Sequence, residues 1–398
     1  MQIPLNKSTL GVEEIDAAKS VLDSGQLTMG DRCRDFERAF ARYLGIGHAV
    51  MVNSGSSANL LALFALTNPL LPTGSSLPPR IPSGSEVIVP ALTWSTTVWP
   101  VIQAGAKPVF LDSDPHTLQV TPAAVEAAIT PKTSAIFAVH VLGGAVDVAA
   151  LAAIAGKNNL WLIEDTCESL GVEWKGRKVG TYGQLGTFSF YFSHHITTIE
   201  GGMIVTDNSR LADLLRAMRA HGWTRNMEAG PTMAADYPDI DPRFLFVTTG
   251  FNLRPTEING AIGLEQLKRI AGFNDMRRRI AQRLDRGLAL LQEAGHLSLI
   301  RYGQEVLPAP FGYTILCRSR DARDGLIRHL EGKGIETRPV ICGNLTRQPA
   351  LRHYEYRVSG ELAGADRVMD CGLYWGTHPY MSDSEIDYII QTVSEHFQ

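Results

Sequence analysis

Short apolar runs alternate with helix-spaced amphipathic stretches through the first two thirds of the chain. The runs at 86–90 (EVIVP), 108–112 (PVFLD), 134–141 (SAIFAVHV), 160–165 (LWLIED), 186–192 (GTFSFYF) and 201–206 (GGMIVT) are near-continuously apolar and close on polar or glycine turns, as strands buried on both faces do. Between them, 121–130, 147–156 and 208–220 carry apolar residues at helical spacing. This alternation predicts an α/β fold with a mostly parallel sheet and covering helices, and such sheets bind ligands beyond the carboxyl ends of their strands. A long basic amphipathic helix follows at about 266–286, then helices such as 321–332 mixed with short strands. The division predicted is a large domain over 1–265 and a smaller C-terminal α+β domain over 266–398. Two stretches have little periodicity, 67–84 and 224–243, and loops of that length are more often functional than filler.

Composition narrows the class of molecule. The chain has 398 residues, 44% apolar and 20% charged, with a net charge of −4. That balance excludes a fibre and gives no broad basic footprint for nucleic acid or anionic lipid. No apolar run approaches the ~18 residues of a membrane span, and the first residues lack the apolar core of a signal peptide, so a cytoplasmic protein is expected. Cys33, Cys167, Cys317, Cys342 and Cys371 are scattered without C-x-x-C spacing, which points to free thiols rather than disulfides or a metal site.

Several segments could carry chemistry. Asp165 and Glu168 stand where the run at 160–165 hands over to a turn, either as a solvated acidic loop or as functional carboxylates. Asn53-Ser-Gly-Ser-Ser-Ala-Asn59 opens a helical pattern: its free amides, small residues and helix dipole would cradle a phosphate, although an ordinary N-cap has the same letters. Trp94, after the run at 86–90, is either a core residue or an indole placed to stack on a flat aromatic group. Ser189 is followed by His194 and His195, whose adjacent side chains must point in different directions.

The order of these motifs resembles the DegT/DnrJ/EryC1/StrS family of sugar aminotransferases. It runs from SGSSAN through PALTW, IEDTCESLG, SFYF and IEGG to GFNLRPTEINGAIGLEQL at 250–267. The resemblance implies the type I aminotransferase architecture, with a mixed, mostly parallel seven-stranded sheet in the large domain, a small C-terminal domain and a homodimer with shared active sites. It also implies pyridoxal 5'-phosphate (PLP) or pyridoxamine 5'-phosphate (PMP). Asp165 would pair with the pyridinium nitrogen and Glu168 would lie near the phenolic oxygen. Trp94 would cover the ring, while Gly55, Ser56, Ser57 and Ser189 would hold the phosphate, with Asn252 reaching over from the second subunit.

One position departs from the aminotransferases. Their cofactor-linking lysine stands five residues after the serine of S-F, and here Ser189 plus five is His194. An imidazole cannot make that covalent link but can act as a base near neutral pH, so a non-covalently held cofactor is expected. The substitution, together with ETRPVICGNLTRQP at 336–349, resembles the family's 3-dehydratase branch, which serves deoxysugar and lipopolysaccharide biosynthesis. That implies a lyase removing the C-3 oxygen of a nucleotide-linked 4-keto-6-deoxyhexose, with L-glutamate as amino donor and His194 as base. The lack of a cysteine cluster favours the type without an iron–sulfur centre. Competing readings are a nucleotide-sugar aminotransferase and a non-catalytic PLP-binding regulator. His195 either bonds within the site or packs; His140 and His221 either contact substrate or make structural bonds; Arg338, Asn344 and Arg347 are candidates for substrate or glutamate carboxylate.

Overall fold

The computed structural model describes residues 1–72, 74 and 77–397. Its centre is one sheet in the order His48–Val52, Gly202–Thr206, Leu185–Ser189, Trp161–Asp165, Thr133–Val139, Glu86–Pro90, Lys107–Leu111 and Arg357–Val358. Neighbours pair in parallel except at Gly202–Thr206, which runs against both of its neighbours. The sheet is buried on both faces, which is why its strands read as continuous apolar runs. Along a single strand, Val87 and Val89 enter one core while Ile88 enters another, and Phe137 and Ile136 divide in the same way. Each such fully buried side chain contributes about 1.5–3 kcal/mol of transfer free energy.

The architecture is the α/β aminotransferase fold, with smaller antiparallel sheets towards the C-terminus. The count of seven strands expected from the resemblance is exceeded by one, because Arg357–Val358 adds an edge strand. Arg357 anchors it by donating Nε to Glu86 Oε1 and Nη2 to Glu86 Oε2, both at 2.9 Å. The strand expected over 186–192 ends at Ser189, where the chain turns to place His194. Much of the aperiodic 67–84 segment is irregular, with residues 73, 75 and 76 outside the described set. The 224–243 segment contains the short helix Gly230–Ala235 between two 3-10 turns.

The basic helix is longer than its apolar pattern indicates, running from Glu257 to Glu293. It starts early because Thr256 and Asn259 form a capping box, with Thr256 N donating to Asn259 Oδ1 at 2.9 Å. Residue 265 therefore lies inside a continuous helix. Ile270 and Phe273 pack with Phe36 and Phe40, whereas Ile280, Leu284 and Leu288 pack with Ile315, Trp375 and Ile389 of the C-terminal core. That second core sits on the antiparallel sheet Leu297–Leu299, Gly312–Cys317, Gly372–Gly376 and Thr337–Arg338. No helix among the described residues is long and apolar enough to cross a membrane. All five cysteines are free thiols.

Candidate active site

Chain segments leaving the carboxyl ends of four parallel strands converge after Pro90, Val139, Asp165 and Ser189, and the helix Gly55–Thr67 begins beside them. Asp165 is buried at the end of its strand. Its Oδ2 accepts from Asn59 Nδ2 and Thr97 Oγ1, both at 2.8 Å, and its Oδ1 from Cys167 N at 3.1 Å. Thr187 Oγ1 in turn donates to Asn59 Oδ1 at 2.6 Å. The carboxylate is thus oriented by neutral donors, and no Lys or Arg among the described residues pairs with it. It can meet a protonated ring nitrogen as its counter-ion.

The start of the helix Gly55–Thr67 touches the end of the strand Leu185–Ser189. A methyl group on Gly55 would lie 2.4 Å from Ser189 Cβ and 3.1 Å from Cys167 Sγ, so glycine is required for this approach. Ser54 caps the helix, with Ser57 N donating to its Oγ at 3.0 Å. The first intrahelical bond is Ala58 N to Ser54 O at 3.0 Å, which leaves the Gly55 and Ser56 amides at the positive end of the dipole beside Ser189. Ser56 Oγ donates to Thr96 Oγ1 at 3.0 Å, tying this turn to the helix Ser95–Gln103. Trp94 immediately precedes that helix and is 56% exposed, whereas Trp161 and Trp375 are buried, so the core reading of Trp94 is excluded.

His194 follows Ser189 in a turn closed by His194 N to Tyr191 O at 3.0 Å. Its ring stands edge-on to Phe311, with centroids 5.1 Å apart and planes at 90°. Its Nδ1 is shielded from water and has no partner among the described residues. Burial pushes its pKa down to about 4 against the opposing pull of the Cys167 and Ser189 backbone, and the Arg277 charge adds to the fall. The imidazole is therefore neutral across the physiological range. His195 is fully buried, also lies against Phe311 with centroids 5.7 Å apart, and donates Nε2 to Ala309 O at 2.8 Å, so it packs.

Glu168 accepts from Leu142 N at 3.1 Å. Burial raises its pKa to about 7; the Leu142 amide opposes the rise and nearby Asp165 adds to it. Near neutrality the group can therefore hold or release a proton. Asn252 is exposed and accepts from Arg254 Nε at 3.0 Å, and no hydrogen bond of the described residues joins it to the Asp165 network.

The other candidates resolve mainly as structural. His140 Nε2 meets Glu164 Oε2 at 3.0 Å inside the core, and Glu164 also accepts from the amides of Gly180, Tyr182 and Gly183. His221, at φ 64°, donates its amide to Phe251 O at 2.7 Å and sets its ring edge-on to Trp223, with centroids 5.2 Å apart. Asn344 Nδ2 and Arg347 Nε both donate to Asp366 Oδ1, at 2.8 and 2.9 Å. Arg338 Nη2 donates to Glu336 Oε1 at 2.5 Å and Nη1 to Thr337 O at 2.8 Å. The G-N-L motif nonetheless borders the site, because Leu345 N donates to Ala91 O at 2.9 Å and Cys342 Sγ to Thr93 O at 2.8 Å.

Asn59, Thr97, Leu142, Arg277 and Phe311 join the site without having been singled out in the sequence. Asn59 closes the SGSSAN motif and was open to notice; Arg277 and Phe311 come from remote segments and carry no local signal. Eight of the nine lysines form ion pairs elsewhere, for example Lys7 with Glu385 and Lys268 with Glu265, and Lys132 is exposed.

A cationless buried carboxylate, a glycine-tight anion turn and an exposed indole together suit a pyridoxal-type cofactor, and the fold is that of the α/β aminotransferases. The chain belongs to the DegT/DnrJ/EryC1/StrS aminotransferase family, whose model matches residues 8–394. It is 38% identical over 390 residues to GDP-4-keto-6-deoxy-D-mannose 3-dehydratase of Yersinia pseudotuberculosis, covering 95% of this chain and 94% of that one. It is 37% identical to dTDP-4-dehydro-2,6-dideoxy-D-glucose 3-dehydratase of Saccharopolyspora spinosa, covering 98% of this chain and 86% of that one. A solved GDP-4-keto-6-deoxymannose-3-dehydratase with a trapped PLP-glutamate geminal diamine superposes with a TM-score of 0.90 at 36% identity, covering 98% of this chain and 100% of that one.

Proposed function

We propose that this chain is a PLP/PMP-dependent 3-dehydratase that removes the C-3 oxygen of a nucleotide-linked 4-keto-6-deoxyhexose, with L-glutamate as amino donor. His194 carries the reading. It occupies the position of the aminotransferases' cofactor-linking lysine, it is a neutral imidazole, and no lysine stands in for the missing amine. The relatives named above act on GDP- and dTDP-linked sugars, so the nucleotide is left to experiment.

Asp165 would hold the cofactor's ring nitrogen, Trp94 its face, and Gly55, Ser56, Ser57 and Ser189 its phosphate. The bound cofactor supplies an amine for the C-4 ketone and a conjugated ring that takes up electrons. His194, a neutral imidazole, accepts the proton whose removal drives loss of the C-3 hydroxyl. Glu168, with its raised pKa, is suited to share a proton at the phenolic oxygen. With no lysine to displace a bound amine, a stable amino sugar is not the expected product. The working unit is a homodimer in which Asn252 of each copy serves the phosphate site of the other.

The test is product analysis by mass spectrometry after incubation with PLP, L-glutamate and a panel of GDP-, CDP-, dTDP- and UDP-linked 4-keto-6-deoxyhexoses. A nitrogen-free sugar lacking the C-3 oxygen, with ammonia and 2-oxoglutarate released, supports the reading. A stable amino sugar, or no turnover with any of the panel, counts against it.

A further inference from the structure

Arg277 sits in the helix Glu257–Glu293 at 1% exposure. Its Nη1 faces neutral oxygens: Phe311 O at 3.1 Å, Pro310 O at 3.3 Å, Thr377 Oγ1 at 3.4 Å and Thr377 O at 3.5 Å. Its Nε and Nη2 have no partner, and no carboxylate pairs with it, among the described residues. Burial alone pulls its pKa down to about 10, so it remains a cation at neutral pH. A buried charge without a counter-ion is costly, and a neutral amide could hold the same carbonyls. The charge itself therefore calls for an explanation.

The carbonyls belong to a strap, residues 309–311, that lies against the site. Ala309 N donates to Gly143 O at 3.0 Å and Phe311 N to Leu142 O at 3.3 Å, while Thr377 Oγ1 donates to Pro310 O at 2.9 Å. Gly143, at φ +87°, has no room for a side chain, since a Cβ there would lie 2.0 Å from Ala309 O. The same strap presents the Phe311 ring to His194 and the Ala309 carbonyl to His195.

We propose that Arg277 is a positioning residue for His194: through the Pro310 and Phe311 carbonyls it fixes the wall behind the imidazole, and its charge opposes a second cation there, keeping His194 a proton acceptor in mildly acidic solution. The proposal rests on the reading of His194 as the base. The titratable groups around His194 are Tyr191 and His195 from its own turn, Cys167 from the turn after Trp161–Asp165, and Arg277 from the long helix. Arg277 is the permanent cation among them. His195 and His378 are lowered chiefly by burial, again with Arg277 among the causes; Lys7 and Glu385 also act on His378.

The experiment is an NMR titration of histidine-labelled, cofactor-free protein, with the His194 signal assigned by its loss in His194→Gln. Wild type is compared with Arg277→Gln, which keeps a donor for the carbonyls but removes the charge, and with Arg277→Lys, which keeps the charge. In Arg277→Gln the His194 midpoint is expected to rise by roughly one pH unit towards the ordinary imidazole value, and in Arg277→Lys to stay within about 0.3 unit of wild type. The acid limb of kcat/KM moves with it. An unchanged midpoint in Arg277→Gln, or equal shifts in both variants, overturns the proposal. Should Arg277→Gln not fold, Arg277→Lys still decides, because a rise of a full unit with the charge retained contradicts it. Full turnover by His194→Gln would remove His194 as the base while leaving the titration result intact, so the two failures are distinguishable.

Discussion

Gly55 and Ser189, 134 positions apart in sequence, approach so closely that a methyl group on the glycine would lie 2.4 Å from the serine Cβ. The contact seats a helix start against a strand end and fixes the distance between the helix amides and the Ser189 hydroxyl. Gly55→Ala is therefore expected to lose about 1–3 kcal/mol of stability from overpacking. It is also expected to weaken PLP binding at least ~10-fold, a loss of ~1.4 kcal/mol. Denaturant melts and a PLP absorbance titration measure the two effects.

Trp94 offers the opposite combination. Its indole is exposed, so Trp94→Ala is expected to leave stability within about 0.5 kcal/mol of wild type. PLP affinity should nonetheless fall by roughly tenfold, the scale of one aromatic contact. A variant that melts early and binds PLP normally would return Trp94 to a structural role.

At Asp165, two donors converge on one oxygen, from Asn59 and Thr97. Asp165→Asn can satisfy them only by turning its own NH2 towards the Cys167 amide, which sets donor against donor at a cost of about 1–3 kcal/mol. It also removes the negative charge offered to the ring nitrogen. Turnover is expected to drop by at least ~100-fold, as for loss of a strong electrostatic contact in a buried site, with folding retained in circular dichroism.

The buried histidines give the fold an acid sensitivity of defined sign. His378 has no partner on either ring nitrogen among the described residues, and burial lowers its pKa to about 4. The unfolded chain, with an imidazole near ~6.5, binds more protons than the folded one between about pH 4 and 6.5. Stability should hold above that window, decline as the pH falls through it and level off below it, by up to about 3 kcal/mol from this residue. His378→Leu is expected to flatten the decline, and melts at pH 7 and pH 5 read the difference directly.

The central strands were legible because a sheet buried on both faces leaves unbroken apolar runs, and 86–90 matches the observed strand residue for residue. HAVMV at 48–52 has the same character, but an apolar run of that length beside a helix and the Gly/Ser turn does not by pattern alone separate strand from helix. Arg357–Val358 had no pattern to read; two residues held by Glu86 are an edge pairing that only the folded chain reveals. In the site, residues within local motifs were visible, from Gly55 to Ser189. The framework behind His194 was not, because Arg277, Ala309 and Phe311 reach it across the fold and their role depends on burial rather than spacing.

The proposed function has a histidine replace the cofactor-linking lysine and turn a transaminase framework to C-3 deoxygenation. Its most direct test is to time the mass of the sugar product for wild type and His194→Gln side by side, supplied with PLP and L-glutamate. Wild type is expected to yield a nitrogen-free product lacking the C-3 oxygen, and His194→Gln to form it at least ~100-fold more slowly, the scale of a lost general base. Equal rates in the two proteins, or an accumulating amino sugar in wild type, would contradict the account.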